Sequence, residues 1–292
     1  VPFYLNSENT DVGATFDAAR LPIEVYSTSP TNDLTGAAFN KTWNLSGDNE
    51  LSLDGYMGKA RVNWRKYGRD NFPGLQSPGP VFVPVDVKLS GLSLTLRQEE
   101  NVFRASAYKV KVDTLGQPTP VTFPFVAIPG LPPGVGYYQV SNLMPGPGVT
   151  SLPEFGNMVY SLGADVGLGS DVRLSGEYVR RAVKETEIGP DSQAAYLSLR
   201  KRIGQWTPYA TYGWLRSEPR VTNLYQAVNY NKLPAFIPGA AQINASQRMA
   251  ADAIVAYDQS SLSLGASYAL SPTSKLKAEW TRTHIGNMSS LV

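Results

Sequence analysis

Met158-Val159-Tyr160-Ser161-Leu162-Gly163-Ala164-Asp165-Val166-Gly167-Leu168, the turn Gly169-Ser170-Asp171, and Val172-Arg173-Leu174-Ser175-Gly176-Glu177-Tyr178 decide the reading of this chain. Side chains alternate faces along a strand. One face of the first arm therefore carries Met158, Tyr160, Leu162, Ala164, Val166 and Leu168, and the second arm continues it with Val172, Leu174 and Tyr178. The opposite face carries Asp165, Arg173 and Glu177 among serines and glycines. Each arm runs for about the 9–11 residues that a tilted strand needs to cross a bilayer. This predicts a hairpin with its apolar face toward lipid and its polar face toward a lumen.

The same pattern recurs on either side. Strands are predicted over 36–45, 51–66, 85–97, 103–113, 158–168, 172–184, 192–203, 206–216, 261–270 and 275–284, about ten in all. In 51–66, Lys59, Arg61, Asn63 and Arg65 are expected inward, opposite Ala60, Val62 and Trp64. Leu51 and Leu53 disagree in parity with Tyr56 and Ala60, which predicts a bulge near Asp54-Gly55. A second parity break falls at Ser90-Gly91, and 103–113 has no clear facing. Residues 67–84, 114–156, 185–191 and 217–259 read as loops, with 250–257 as a helical stretch in the last. Short and long connections alternate along the chain, as short periplasmic turns and long extracellular loops do in outer-membrane barrels. The tryptophans 43, 64, 206, 214 and 280 fall in or near strand ends, as aromatic girdles require. The expectation is all-β: a single transmembrane antiparallel up-and-down β-barrel domain over 1–292. A soluble β-sandwich binding protein is the bland alternative.

Composition narrows the classes. The 292 residues contain no apolar run long enough for a spanning helix, and prolines break the nearest candidate, 121–140. A formal charge of +2 does not point to nucleic acid, and without cysteine there is no thiol chemistry. His284 is the one histidine, so a nucleophile–base pair or a metal site has little to build on. No enzyme activity, metal or cofactor is expected.

Two regions resemble the sixteen-stranded porins of Gram-negative outer membranes. They are Asn6 to Gly13 running into Ala19-Arg20-Leu21-Pro22-Ile23-Glu24-Val25-Tyr26, and the tail with Tyr257-Asp258-Gln259-Ser260-Ser261-Leu262, Tyr268-Ala269-Leu270-Ser271-Pro272 and Leu276-Lys277-Ala278-Glu279-Trp280. The resemblance implies that 1–33 is the loop that folds into the barrel and narrows it. Glu8, Asp11, Asp17, Arg20 and Glu24 are then its constriction charges. It also implies a homo-trimer in outer-membrane lipid. The ten strands would be the sixth to fifteenth, so that further strands precede and follow this sequence. The candidate pore-lining residues are Lys59, Arg61, Arg65, Arg173, Glu177, Arg181, Arg200, Arg202, Lys275, Lys277 and Glu279. Nine are basic, and basic rings favour anions. The expected function is passive diffusion of small polar solutes with a mild preference for anions such as carboxylates. The alternative is a plugged or receptor-like barrel with 114–156 and 217–259 as the binding surface.

Overall fold

The computed structural model describes residues 16–27, 34–72 and 76–291. A short helix, α1 (Ile23–Tyr26), precedes the strands. Ten strands follow as one antiparallel meander, each paired with its neighbours in sequence. They are β1 (Thr35–Asn44), β2 (Asn49–Gly68), β3 (Gly79–Gln98), β4 (Asn101–Asp113), β9 (Glu154–Gly169), β10 (Val172–Ala182), β11 (Ser192–Lys201), β12 (Trp206–Ser217), β13 (Tyr257–Ser271) and β14 (Ser274–Ser289). Among the described residues β1 and β14 pair on one side only and form the two edges of the sheet. Between β4 and β9 lie two small pairs, β5 (Thr119–Pro120) with β8 (Ser151–Leu152) and β6 (Phe125–Ala127) with β7 (Gly136–Tyr138). Two helices, α2 (Pro219–Tyr230) and α3 (Ala240–Ala253), separate β12 from β13.

The opening hairpin turns as its sequence requires. Ser170 and Asp171 have φ of 51° and 58°, the left-handed pair that a two-residue hairpin needs to match strand twist. Gly169, at φ 81°, supplies the shift of register that accompanies the turn.

One apolar cluster joins Val85, Val87, Val110, Val159, Val179 and Leu215 around Val25 and Tyr26 of α1. The sheet therefore curves about α1 and has an inner and an outer face. Toward the short turns, the outer face carries Leu92, Leu94, Phe103, Leu162, Leu174, Leu197 and Leu264, while Ser93, Thr95, Ser106, Ser161 and Ser175 line the inner face. Leu162 is 60% exposed and Met57 62%. Toward the long connections the polarity reverses. Val62, Trp64, Val85, Val87, Val110, Val112 and Phe155 pack inward, while Arg61 pairs with Asp86 (2.7 Å) and Lys111 with Glu154 (2.9 Å) outside.

This exchange replaces the expected bulge. The β2–β3 register runs unbroken from Asn49↔Gln98 to Gly68↔Gly79, and β1–β2 is equally continuous. Leu53 and Tyr56 differ in parity because the apolar face itself changes sides between them. The same exchange accounts for the break at Ser90-Gly91 and for the unclear facing of β4, which turns Ala105 outward and Val110 inward. It also lets β3 begin at Gly79, inside what reads as a proline-rich loop, because Pro80 and Pro84 sit within an unbroken ladder.

The two longest connections are not open loops. Phe123 and Val149 from the first pack with Val221, Leu224, Tyr225, Val228, Ala251 and Ile254 from the second. Gln247, fully buried, accepts the Tyr138 N–H (2.7 Å) and a bond from the Asn231 side chain (2.9 Å). The cap holds two helices, and both begin well before the single helical stretch expected at 250–257. Pro219 opens α2 at a position where its missing N–H costs nothing.

Candidate functional site: the inner wall and the segment laid on it

Residues 16–27 lie along the inner face and are held by side chains from β10 to β14. Asp17 pairs with Lys275 (2.7 Å), accepts the Ser267 hydroxyl (3.1 Å) and reaches Arg200 at 4.0 Å. Lys277 donates to the Ala18 carbonyl (3.0 Å) and stands 4.2 Å from the centre of the Phe16 ring. Arg20 pairs with Glu279 (2.8 Å). The Tyr209 hydroxyl bridges the two chains, accepting the Ala19 N–H (2.9 Å) and donating to Glu279 (2.8 Å). Further along, Gln259 donates to Glu24 (3.1 Å), Arg181 donates to the Val25 carbonyl (3.0 Å), and the Tyr26 hydroxyl binds Glu177. Gly213 makes room for this packing, since a Cβ there would stand 2.9 Å from a Glu24 carboxylate oxygen.

The expected site residues therefore divide. Arg173, Glu177, Arg181, Arg200, Lys275, Lys277 and Glu279 are on the inner face. Glu177 and Arg181 are buried beneath α1 and anchor it, so they do not line open space. Asp17, Arg20 and Glu24 touch the inner face of the sheet. Glu8 and Asp11 lie outside the described residues.

Lys59, Arg61 and Arg65 correct the reading of β2. They face outward, because Ala60, Val62 and Trp64 pair with or pack on the inner valines Val85, Val87 and Val83. Trp64 is likewise inside, 6.0 Å from the Phe155 ring centre, and not part of an outer girdle. Arg202 is also corrected: it lies in the turn beyond β11, where its N–H donates to the Asp171 carbonyl (3.0 Å).

Residues outside the expected pore-lining set complete the wall. Asp165 receives Arg173 and Arg200, each at 2.8 Å. Arg104 donates to Thr95 (3.0 Å), and Arg97 pairs with Glu50 (3.1 Å). Asp165 sits on the polar parity of the opening hairpin, which is a signal in the sequence. Arg104 was hidden by the polarity exchange in β4.

Near the long connections, Arg69 and Arg248 both grip Asp252, Arg69 through its N–H (2.9 Å) and guanidinium (2.7 Å) and Arg248 at 2.6 Å. Burial would raise the Asp252 pKa, but these bonds outweigh it and hold the carboxyl below its ordinary value. Among the described residues no helix is long and apolar enough to cross a membrane. Comparison with family models, curated proteins and solved structures finds no match for this chain.

Proposed function

We propose that the ten strands are the wall of an outer-membrane β-barrel porin that passes small polar solutes by diffusion, with a mild preference for anions such as carboxylates. The observation that carries this reading is the half of the sheet near the short turns, which is apolar outside and polar inside. A water-soluble β protein does the reverse, burying the apolar face and exposing the polar one. Two sheet edges in lipid would leave backbone groups unpaired, so the proposal includes further strands that close β1 and β14 into a barrel, and a homo-trimer of such barrels.

The anion preference is mild on the wall's own charges. With Lys59, Arg61 and Arg65 outside, the inward arginines and lysines (Arg104, Arg173, Arg200, Lys275, Lys277) face Asp165, Glu279 and Asp17. Several of these are already paired, which lowers the field available to a passing ion.

Single-channel recording in a planar bilayer under a salt gradient tests the reading. Discrete steps with an anion-leaning reversal potential are expected. Steps with cation preference would keep the pore and overturn its selectivity. Silence would favour the second reading, a plugged or receptor-like barrel. That reading has its own support in the pinned segment 16–27 and in the folded cap formed by 114–156 and 217–259.

A further inference from the structure

We infer that the chamber on the inner face near the long connections binds a small aromatic monocarboxylate carrying a ring hydroxyl. As a solute's first stop in a pore the site rests on the porin reading; as a binding site it stands on its own geometry. The chamber measures about 450 Å³ and is lined by Trp64 and Lys66 of β2, Phe155 and Asn157 of β9, Ile254 after α3, and Tyr257 of β13. Sites for small ligands have this size and this make-up, apolar and aromatic walls with a few placed polar groups.

Two polar groups set the ligand's chemistry. Asn157 is only 8% exposed, and its side-chain carbonyl oxygen is buried with no hydrogen-bond partner among the described residues. A buried acceptor left alone costs the full desolvation of that atom, so such atoms call for a specific partner. A hydroxyl on the ligand supplies it. Lys66 is half-buried on the same wall. The acids beside it are taken: Asp252 by Arg69 and Arg248, and Asp70 by Arg248 at 2.7 Å. Among the described residues this leaves the Lys66 ammonium on the inner wall without an acid partner. A single ammonium matches a single negative charge, whereas a phosphate dianion is better served by several donors or an arginine fork. Trp64 and Phe155 meet at 50°, a tilted pair against which a flat ring can pack.

The test titrates 4-hydroxybenzoate into the full chain in detergent micelles and reads tryptophan fluorescence. The other four tryptophans, at 43, 206, 214 and 280, stand on the outer face, so Trp64→Phe identifies the signal. We expect a saturable change that Trp64→Phe abolishes. 4-Hydroxybenzyl alcohol, which lacks the charge, should bind about tenfold or more weakly, as should the Lys66→Gln variant, the scale of losing one charged hydrogen bond. Lys66→Arg should restore most of the binding, which shows that loss in Lys66→Gln is not misfolding. Asn157→Leu should erase the preference for 4-hydroxybenzoate over benzoate. The proposal is overturned by the absence of a saturable signal, by equal affinity for acid and alcohol, or by wild-type affinity in Lys66→Gln. Binding without conductance would sink the porin reading alone; conductance without binding would sink this site alone.

Discussion

Replacing Leu162 by arginine separates the membrane reading from a soluble one by free energy. Leu162 stands on the outer face of β9, opposite Ala105 of β4 and Tyr178 of β10, and is 60% exposed. If that face meets water, the substitution exchanges one exposed side chain for another and should change stability by no more than about 0.5 kcal/mol. If it meets the middle of a bilayer, arginine costs roughly 2–4 kcal/mol on a barrel's lipid face. That is a roughly 30- to 700-fold loss in the folding equilibrium. The assay is reversible urea titration of the chain in phosphatidylcholine vesicles, read by tryptophan fluorescence, for wild type, Leu162→Arg and Lys59→Leu. Lys59 is on the same outer face but level with Lys88 and Lys111, beyond the apolar band, so its replacement should leave stability within about 0.5 kcal/mol of wild type. Wild-type stability in Leu162→Arg would refute the assignment of that face to lipid.

Other consequences can be checked by recording and spectroscopy. Reversing Arg61 and Arg65 to glutamate should leave the reversal potential unchanged, since both face outward, whereas Arg173→Glu should shift it toward cations. Asp17→Asn removes a partly exposed ion pair with Lys275, worth at most about 1 kcal/mol, and should raise open-state noise or conductance by loosening segment 16–27; an unchanged trace would mean that this contact does not hold the segment. Gly213→Val drives a side chain into Glu24 and should lower the thermal midpoint, with Gly213→Ala between the two. The depressed Asp252 carboxyl contributes stability that is complete above its ordinary pKa of 3.8 and lost as pH falls through its lower folded value. Cap unfolding, followed by amide exchange in α3, should therefore be flat from pH 7 to about 5 and accelerate only below about pH 4, and Asp252→Asn should remove that acid limb.

How much of this was legible follows from how each strand uses its faces. β13 and the first part of β14 keep one polarity throughout, so simple alternation places Lys275, Lys277 and Glu279 inward and Leu264 and Trp280 outward. β2, β3 and β4 exchange polarity partway. Alternation still pairs Arg61 with Arg65 and sets both against Val62 and Trp64, but it assigns the pairs to the wrong sides, because an apolar face reads as lipid-facing wherever it occurs. Arg104 was lost for the same reason. The Asp165–Arg173–Arg200 cluster is illegible for another: it joins three strands, and register between them depends on bulges and turns that alternation does not encode. In the cap, α2 and α3 have too little apolar periodicity to stand out as helices. The inward course of 16–27 came from resemblance rather than from the residues themselves, whose charges find partners about 250 positions away.

If the outer face meets lipid, the polarity exchange also sets where water begins. Lys59, Lys88 and Lys111 stand directly opposite one another across three adjacent strands, all on the outer face and all exposed. Like charges in direct cross-strand register repel, and only water with its counterions screens them enough to be stable. That row therefore lies outside any bilayer. Below it, the outer face of β9 is apolar or small from Met158 to Leu168. Ten residue steps at about 3.3 Å make about 33 Å along the strand. At the roughly 40° tilt of a barrel strand this is about 25 Å of height, the thickness of the apolar band that such barrels present. Lys109 opposite Met158 and Arg180 opposite Tyr160 stand at the upper rim of the band, Arg180 tied to Asp191 (2.6 Å), while Lys41 and Arg282 interrupt it on the two edge strands. On the porin reading, the lysine row and the strand length together bound the lipid-facing band, one from where lipid is forbidden and the other from how far it must reach.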